Sequence, residues 1–144
     1  MKSAYFKIVF LSLCSFFLFT AQTVDCDDDN FLDNCASQIA GYKFLKANKV
    51  SISGGKSGQA VELSSVFSNG STYILTACGG GTNMIVTLYD RNRKLIMSNY
   101  NKSTKKFYPS INYKCTATGV YYFKYEFEGG GAGCGVGIIG FKQK

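Results

Sequence analysis

Val120-Tyr121-Tyr122-Phe123-Lys124-Tyr125-Glu126-Phe127-Glu128 is the stretch that decides the fold class of this chain. Tyr121, Phe123, Tyr125 and Phe127 alternate with Tyr122, Lys124, Glu126 and Glu128, so a period of two residues puts aromatic rings on one side of a strand and mostly charged groups on the other. A stacked aromatic face can bind sugars or bases, but in a central strand it belongs to a core. The stretch therefore predicts a sheet with one buried face.

Outward from it, β-branched and aromatic residues dominate from Gly41 to the C-terminus, and no segment keeps a 3.6-residue period. The pattern predicts strands at Tyr42–Ile52, Gln59–Phe67, Thr72–Cys78, Met84–Asp90, Lys94–Asn99, Ser110–Cys115, Val120–Phe127 and Gly135–Phe141. Turn chemistry separates them: Ser53-Gly54-Gly55, Ser68-Asn69-Gly70, Gly79-Gly80-Gly81, Asp90 to Arg93, Thr118-Gly119 and Gly129 to Gly133. Short strands without helices between them predict an all-β chain, an antiparallel β-sandwich of jelly-roll-like type over residues 42–144. Ahead of it, residues 24–41 read as a short acidic helix, capped at Asp27 to Asp29, with Phe31, Leu32, Cys35 and Ile39 on one face and Gly41 at its end.

Residues 1–23 read as a signal peptide: Lys2 and Lys7, then an apolar run from Ile8 to Ala21 that is short for a membrane span. After cleavage the chain keeps no stable span, and a secreted, periplasmic or cell-surface location follows. Without Lys2 and Lys7 the net charge of +7 falls to about +5. Five aspartates crowd the new N-terminus, so the body behind them is near +10, roughly, and could meet acidic polymers or anionic surfaces. Nucleic acid is disfavoured for an exported chain whose bases are mainly single lysines. The sequence holds no His, which excludes Ser-His-Asp and Cys-His nucleophiles, His-ligated zinc and a His proton shuttle. No cofactor and no enzymatic activity are expected.

Five cysteines follow the signal segment, with no CxxC pair. An oxidising compartment then allows two disulfides and one thiol. If consecutive strands alternate in direction, Cys78 and Cys134 lie at one end of the sandwich and Cys115 at the other. The expected pairs are Cys78 with Cys134 and Cys26 with Cys35, leaving Cys115 as a buried thiol on the face of Ile111 and Tyr113.

Three segments, in order, resemble a known family. They are Val61 to Tyr73 (VELSSVFSNGSTY), Val86 to Asn99 (VTLYDRNRKLIMSN) and Ile111 to Phe123 (INYKCTATGVYYF). Across about residues 58 to 141 the chain is similar to the bacterial pre-peptidase C-terminal (PPC-like) β-sandwich domains of secreted proteases and other surface proteins. The resemblance implies a β-sandwich that assists, attaches or binds. Arg93 stands where the family has a turn glycine, and no attached catalytic domain is expected.

Several residues are candidates for a site. Asp25, Asp27, Asp29 and Asp33 follow positions 1, 3, 5 and 9 of a calcium loop, but Asn30 replaces its glycine and Ala36 its bidentate glutamate, so helix capping is the simpler role. Gly79 to Gly81 lacks the Lys-Ser/Thr of a phosphate loop and reads as a turn. Lys102, Lys105 and Lys106, followed by Phe107 and Tyr108, form a cationic and aromatic contact surface suited to an acidic glycan or a protein partner. The function expected is a non-enzymatic binding or structural module facing a protein or glycan of the cell surface or periplasm. Alternatives are a carbohydrate-binding module using Tyr89, Tyr100 and Tyr108, and an accessory subunit of a cell-envelope complex.

Overall fold

A computed structural model describes residues 28–53, 58–80 and 82–143. The aromatic strand, β10 (Gly119–Phe127), lies inside one sheet between β2 (Val61–Phe67) and β5 (Met84–Tyr89), with β6 (Leu95–Ser98) beyond β5. The other sheet runs β1 (Lys43–Ile52), β11 (Gly133–Lys142), β3 (Thr72–Thr76) and β9 (Ser110–Lys114), and the short β4 (Cys78–Gly79) also pairs with β11. All pairings are antiparallel. Numbered by chain order among the eight long strands, the sheets read 1-8-3-6 and 2-7-4-5, which is the strand order of a jelly roll.

Period-two burial explains why the sheets face each other. Tyr121, Phe123, Tyr125 and Phe127 are buried together with Phe67, Tyr73, Leu75, Val86, Leu88 and Ile139. Glycines in β11 make room for them. A Cβ on Gly137 would come within 2.3 Å of the Tyr125 ring and hydroxyl, and one on Gly133 within 2.7 Å of the Phe127 ring. Side chains at both positions would push the sheets apart.

The helix α1 (Asp28–Ala36), followed by a 3-10 turn (Ser37–Ile39), covers the outer face of the β11 sheet. Cys35 and Ile39 pack there on Ile74, Val136 and Ile138, with Phe31 alongside. This second cover makes β3 and β11 buried on both faces, so they read as continuous apolar runs rather than alternating ones. Leu32, expected on the packed face, is 37% exposed. Gly41 ends the segment with φ +79°, a conformation that suits glycine.

The disulfide pairing differs from the expected one. Cys35 is bonded to Cys78, with Cα atoms 5.8 Å apart. Cys78 does lie at the same end as Cys134, as alternating strand directions require. But Cys78 is opposite Val136, while the Gly80 N–H donates to the Cys134 carbonyl at 3.1 Å. That register sets Cys78 and Cys134 on a diagonal of about 7–8 Å, beyond the usual Cα span of a disulfide. The helix instead delivers Cys35 directly above Cys78. Cys134 is also disulfide-bonded, and the expected partner of Cys35, Cys26, lies outside the described residues. Cys115 is a free, buried thiol in the core with Ile111, beside Tyr113.

The expected strand Thr72–Cys78 is interrupted at Ala77, and Gly79 continues as β4 opposite Gly135 rather than as a turn. Two further short strands, β7 (Tyr100–Asn101) and β8 (Lys106–Phe107), form a small hairpin between β6 and β9. The signal segment and Asp25 and Asp27 lie outside the described residues, as does the calcium reading of this set. The one described side chain of that set, Asp33, is exposed on α1. Among the described residues no helix is long and apolar enough to cross a membrane.

Candidate functional site

The charged row of β10 faces away from the core, and register fixes its neighbours. Tyr122 is opposite Tyr89, Lys124 opposite Thr87, and Glu126 opposite Ile85. Thr87 is in turn opposite Ser98 of β6, and their hydroxyls lie 3.2 Å apart. This outer face is the floor of a cleft of about 480 Å³.

The β7–β8 hairpin supplies the wall. Asn99 is 2% exposed and holds the hairpin to the sheet with its side chain. Its Oδ1 accepts from the Val86 N–H at 2.8 Å, and its Nδ2 donates to the Met84 carbonyl at 3.2 Å and the Tyr108 carbonyl at 3.3 Å. The Tyr108 N–H donates back to the Asn99 carbonyl at 2.8 Å. At the hairpin tip Asn101 Oδ1 accepts from the N–H groups of Ser103 and Thr104, and Lys105 takes a left-handed φ of 53°. Tyr100 and Phe107 stack at 4.4 Å between ring centroids, closing the hairpin.

This arrangement sorts the residues singled out from the sequence. Tyr89, Tyr100 and Tyr108, separated by up to 19 positions in the chain, all line the cleft, and Lys102 joins them. Lys105 and Lys106 are exposed on the same hairpin, with Lys106 Nζ 5.2 Å from the Tyr108 ring centroid. Phe107, half-buried and stacked on Tyr100, lines a neighbouring depression of about 510 Å³ together with Tyr108 and with Asn34 and Gln38 of the helical segment. Its ring backs Tyr100 and does not itself line the cleft. Asn99 carried no signal in the sequence, because a buried amide clamp at a strand end looks like any other turn asparagine.

The floor is electrostatically paired. Lys124 Nζ is 2.6 Å from Glu126 Oε2, and this contact, more than any other, raises the lysine pKa against the opposing effect of burial. Beside the cleft, Arg93 pairs with Glu62 and lays its guanidinium 3.6 Å from the Tyr122 ring centroid. Among the described residues no cluster of His, Cys, Asp or Glu is arranged to hold a metal ion.

The cleft thus combines three tyrosine rings, a hydroxyl pair, the Asn101 amide and an ion pair within one concavity. Flat apolar rings with polar groups between them suit a ligand that has both C–H faces and hydroxyl edges. No family model and no curated protein matches this chain.

Proposed function

We propose that this protein is an exported, non-catalytic binding module that holds a glycan in the cleft between the outer face of the β10 sheet and the β7–β8 hairpin. The observation that carries this reading is the meeting of Tyr89, Tyr100 and Tyr108 in one cleft. A sugar ring stacks its C–H face on such rings while its hydroxyls bond to the neighbouring polar groups. The hydroxyls of Thr87 and Ser98 and the amide of Asn101 are within the same lining.

Two further features support placement among PPC-like domains. The jelly-roll order accommodates the three segments that resemble that family. Arg93, where the family has a turn glycine, takes a left-handed φ of 63°, the conformation glycine would favour there. The Cys35–Cys78 disulfide agrees with export to an oxidising compartment.

Glycan-array binding followed by calorimetry on the full chain tests the proposal. Tyr89→Ala and Tyr108→Ala should each weaken binding about tenfold or more, roughly 1.4 kcal/mol, with the circular dichroism spectrum unchanged. Retention of full affinity by both variants would place the ligand elsewhere. Absence of binding to every glycan, with recovery of a protein partner through the same face, would replace the sugar reading with a protein-docking one.

A further inference from the structure

We infer that the ligand of this cleft carries an anionic substituent, a carboxylate or sulfate ester on the sugar ring, and that Lys102 is the side chain that meets it. This rests on the glycan reading above and specifies its substrate class.

The two sides of the cleft differ in charge balance. On the floor, Lys124 is matched by Glu126 at 2.6 Å, so neither group offers an uncompensated charge. On the wall, no carboxylate among the described residues lies within ion-pair distance of Lys102, Lys105 or Lys106. All three are exposed. Three unmatched positive charges thus sit within residues 102–106 of the hairpin, beside Tyr100 and Tyr108.

Geometry makes that charge specific rather than diffuse. Asn101 Oδ1 accepts from the N–H groups of Ser103 at 3.0 Å and Thr104 at 3.1 Å, which fixes the turn on which Lys102 sits. Lys102 lines the cleft, whereas Lys105 and Lys106 do not. A sugar stacked on Tyr89 at the floor directs its equatorial substituents outward in the plane of its own ring, toward the wall. A carboxylate or sulfate there gains a charge-assisted hydrogen bond from an ammonium group that is still hydrated and needs little desolvation. The paired floor offers an anion no net attraction, so Lys102 is the cleft's uncompensated positive group.

The test is calorimetric titration of the full chain with oligosaccharides of one length in three forms: neutral, uronate-containing and sulfated. Each is measured at low and at moderate ionic strength for the unmodified protein, Lys102→Ala, Lys46→Ala and Tyr89→Ala. Lys46 is exposed on β1 in the opposite sheet, so Lys46→Ala removes the same charge far from the cleft.

At least one anionic form should bind about fivefold or more tightly than the neutral one. Lys102→Ala should remove about three- to fivefold of that preference and Lys46→Ala none of it. The uronate and sulfate arms identify which anion is taken. Equal affinity for neutral and anionic forms, still lost in Tyr89→Ala, overturns the inference and leaves the glycan reading standing. An anionic preference weakened equally by both lysine variants and abolished at moderate salt also overturns it, as adsorption to net charge. Failure of all three oligosaccharides to bind overturns the glycan reading together with the inference.

Discussion

Asn99 shows how one buried polar side chain can set a surface. It satisfies a backbone N–H of Val86 and two carbonyls, at Met84 and Tyr108, all from a position that is 2% exposed. Asn99→Ala leaves those groups buried without partners, so a loss of about 2–3 kcal/mol in urea unfolding is expected. The Tyr108 wall should loosen with it. Hydrogen exchange at Tyr108 should rise, and glycan affinity should fall although no ligand contact has been deleted. Gly137 is the opposite case, where the absence of a side chain is what matters. Its missing Cβ is the space that the Tyr125 ring and hydroxyl occupy, so Gly137→Ala should cost about 1–3 kcal/mol by overpacking. Unchanged stability in that variant would mean that the two sheets can separate freely at this point.

Among the elements, α1 depends most on a covalent tie. It is nine residues long, short enough that packing rather than intrinsic propensity keeps it helical. Cys35–Cys78 fastens it to the sheet across 43 residues of sequence. A bond closing a loop of that length contributes about 4 kcal/mol or less. Cys35→Ala/Cys78→Ala should therefore release α1 first, seen as fast amide exchange from Asn34 to Ile39, while amides of β10 stay protected. Simultaneous loss of protection in both would make the helix part of the cooperative core. The alternating residues of β10 made the sheet legible, and the other long strands followed from β-branched and aromatic content and the turn residues between them. The helix's docking site was not legible in that way. Its signal was indirect: the unbroken apolar run Val136 to Ile139 marks a strand covered on both faces, and the short helix is the element available to cover it. The pairing of Cys35 with Cys78 then depends on that docking, which no argument from strand direction contains. Likewise the cleft's tyrosines were visible one by one, but their meeting required the β7–β8 hairpin, whose strands of two residues are too short to carry a period.

Over the whole molecule, the jelly roll gathers its aromatic rings into one interior that spans both sheets. Phe67 stacks on Tyr73 at 3.7 Å and on Tyr121 at 5.1 Å, and Tyr113 meets Tyr121 at 5.5 Å. Such an interior excludes phenolate. Burial pushes the Tyr121 and Tyr125 hydroxyls well above the ordinary tyrosine pKa, with hydrogen bonds to Tyr113 and Cys115 adding to the effect at Tyr121. In the unfolded chain both ionise near pH 10, about where tyrosine normally does. Because the folded values are the higher ones, the unfolded state releases these protons first. Their contribution to stability is complete below about pH 10 and is lost as pH rises above it toward the folded values. Tyr125, fully buried, sets a slope of about 1.4 kcal/mol per pH unit in that range. Its hydroxyl lies near the Asn48 side chain, which opposes the rise, but neither that hydroxyl nor Asn48 Nδ2 completes a hydrogen bond in the core. Tyr125→Phe should thus do two things that are measured together by urea unfolding at pH 7, 9 and 11. It should raise stability at pH 7 by about 1 kcal/mol, by removing a buried hydroxyl that bonds to nothing, and it should make the decline above pH 10 shallower. A variant that is less stable at pH 7 and declines as steeply as the parent would show that Tyr125 is hydrogen-bonded in the folded state and that the alkaline transition begins at another group.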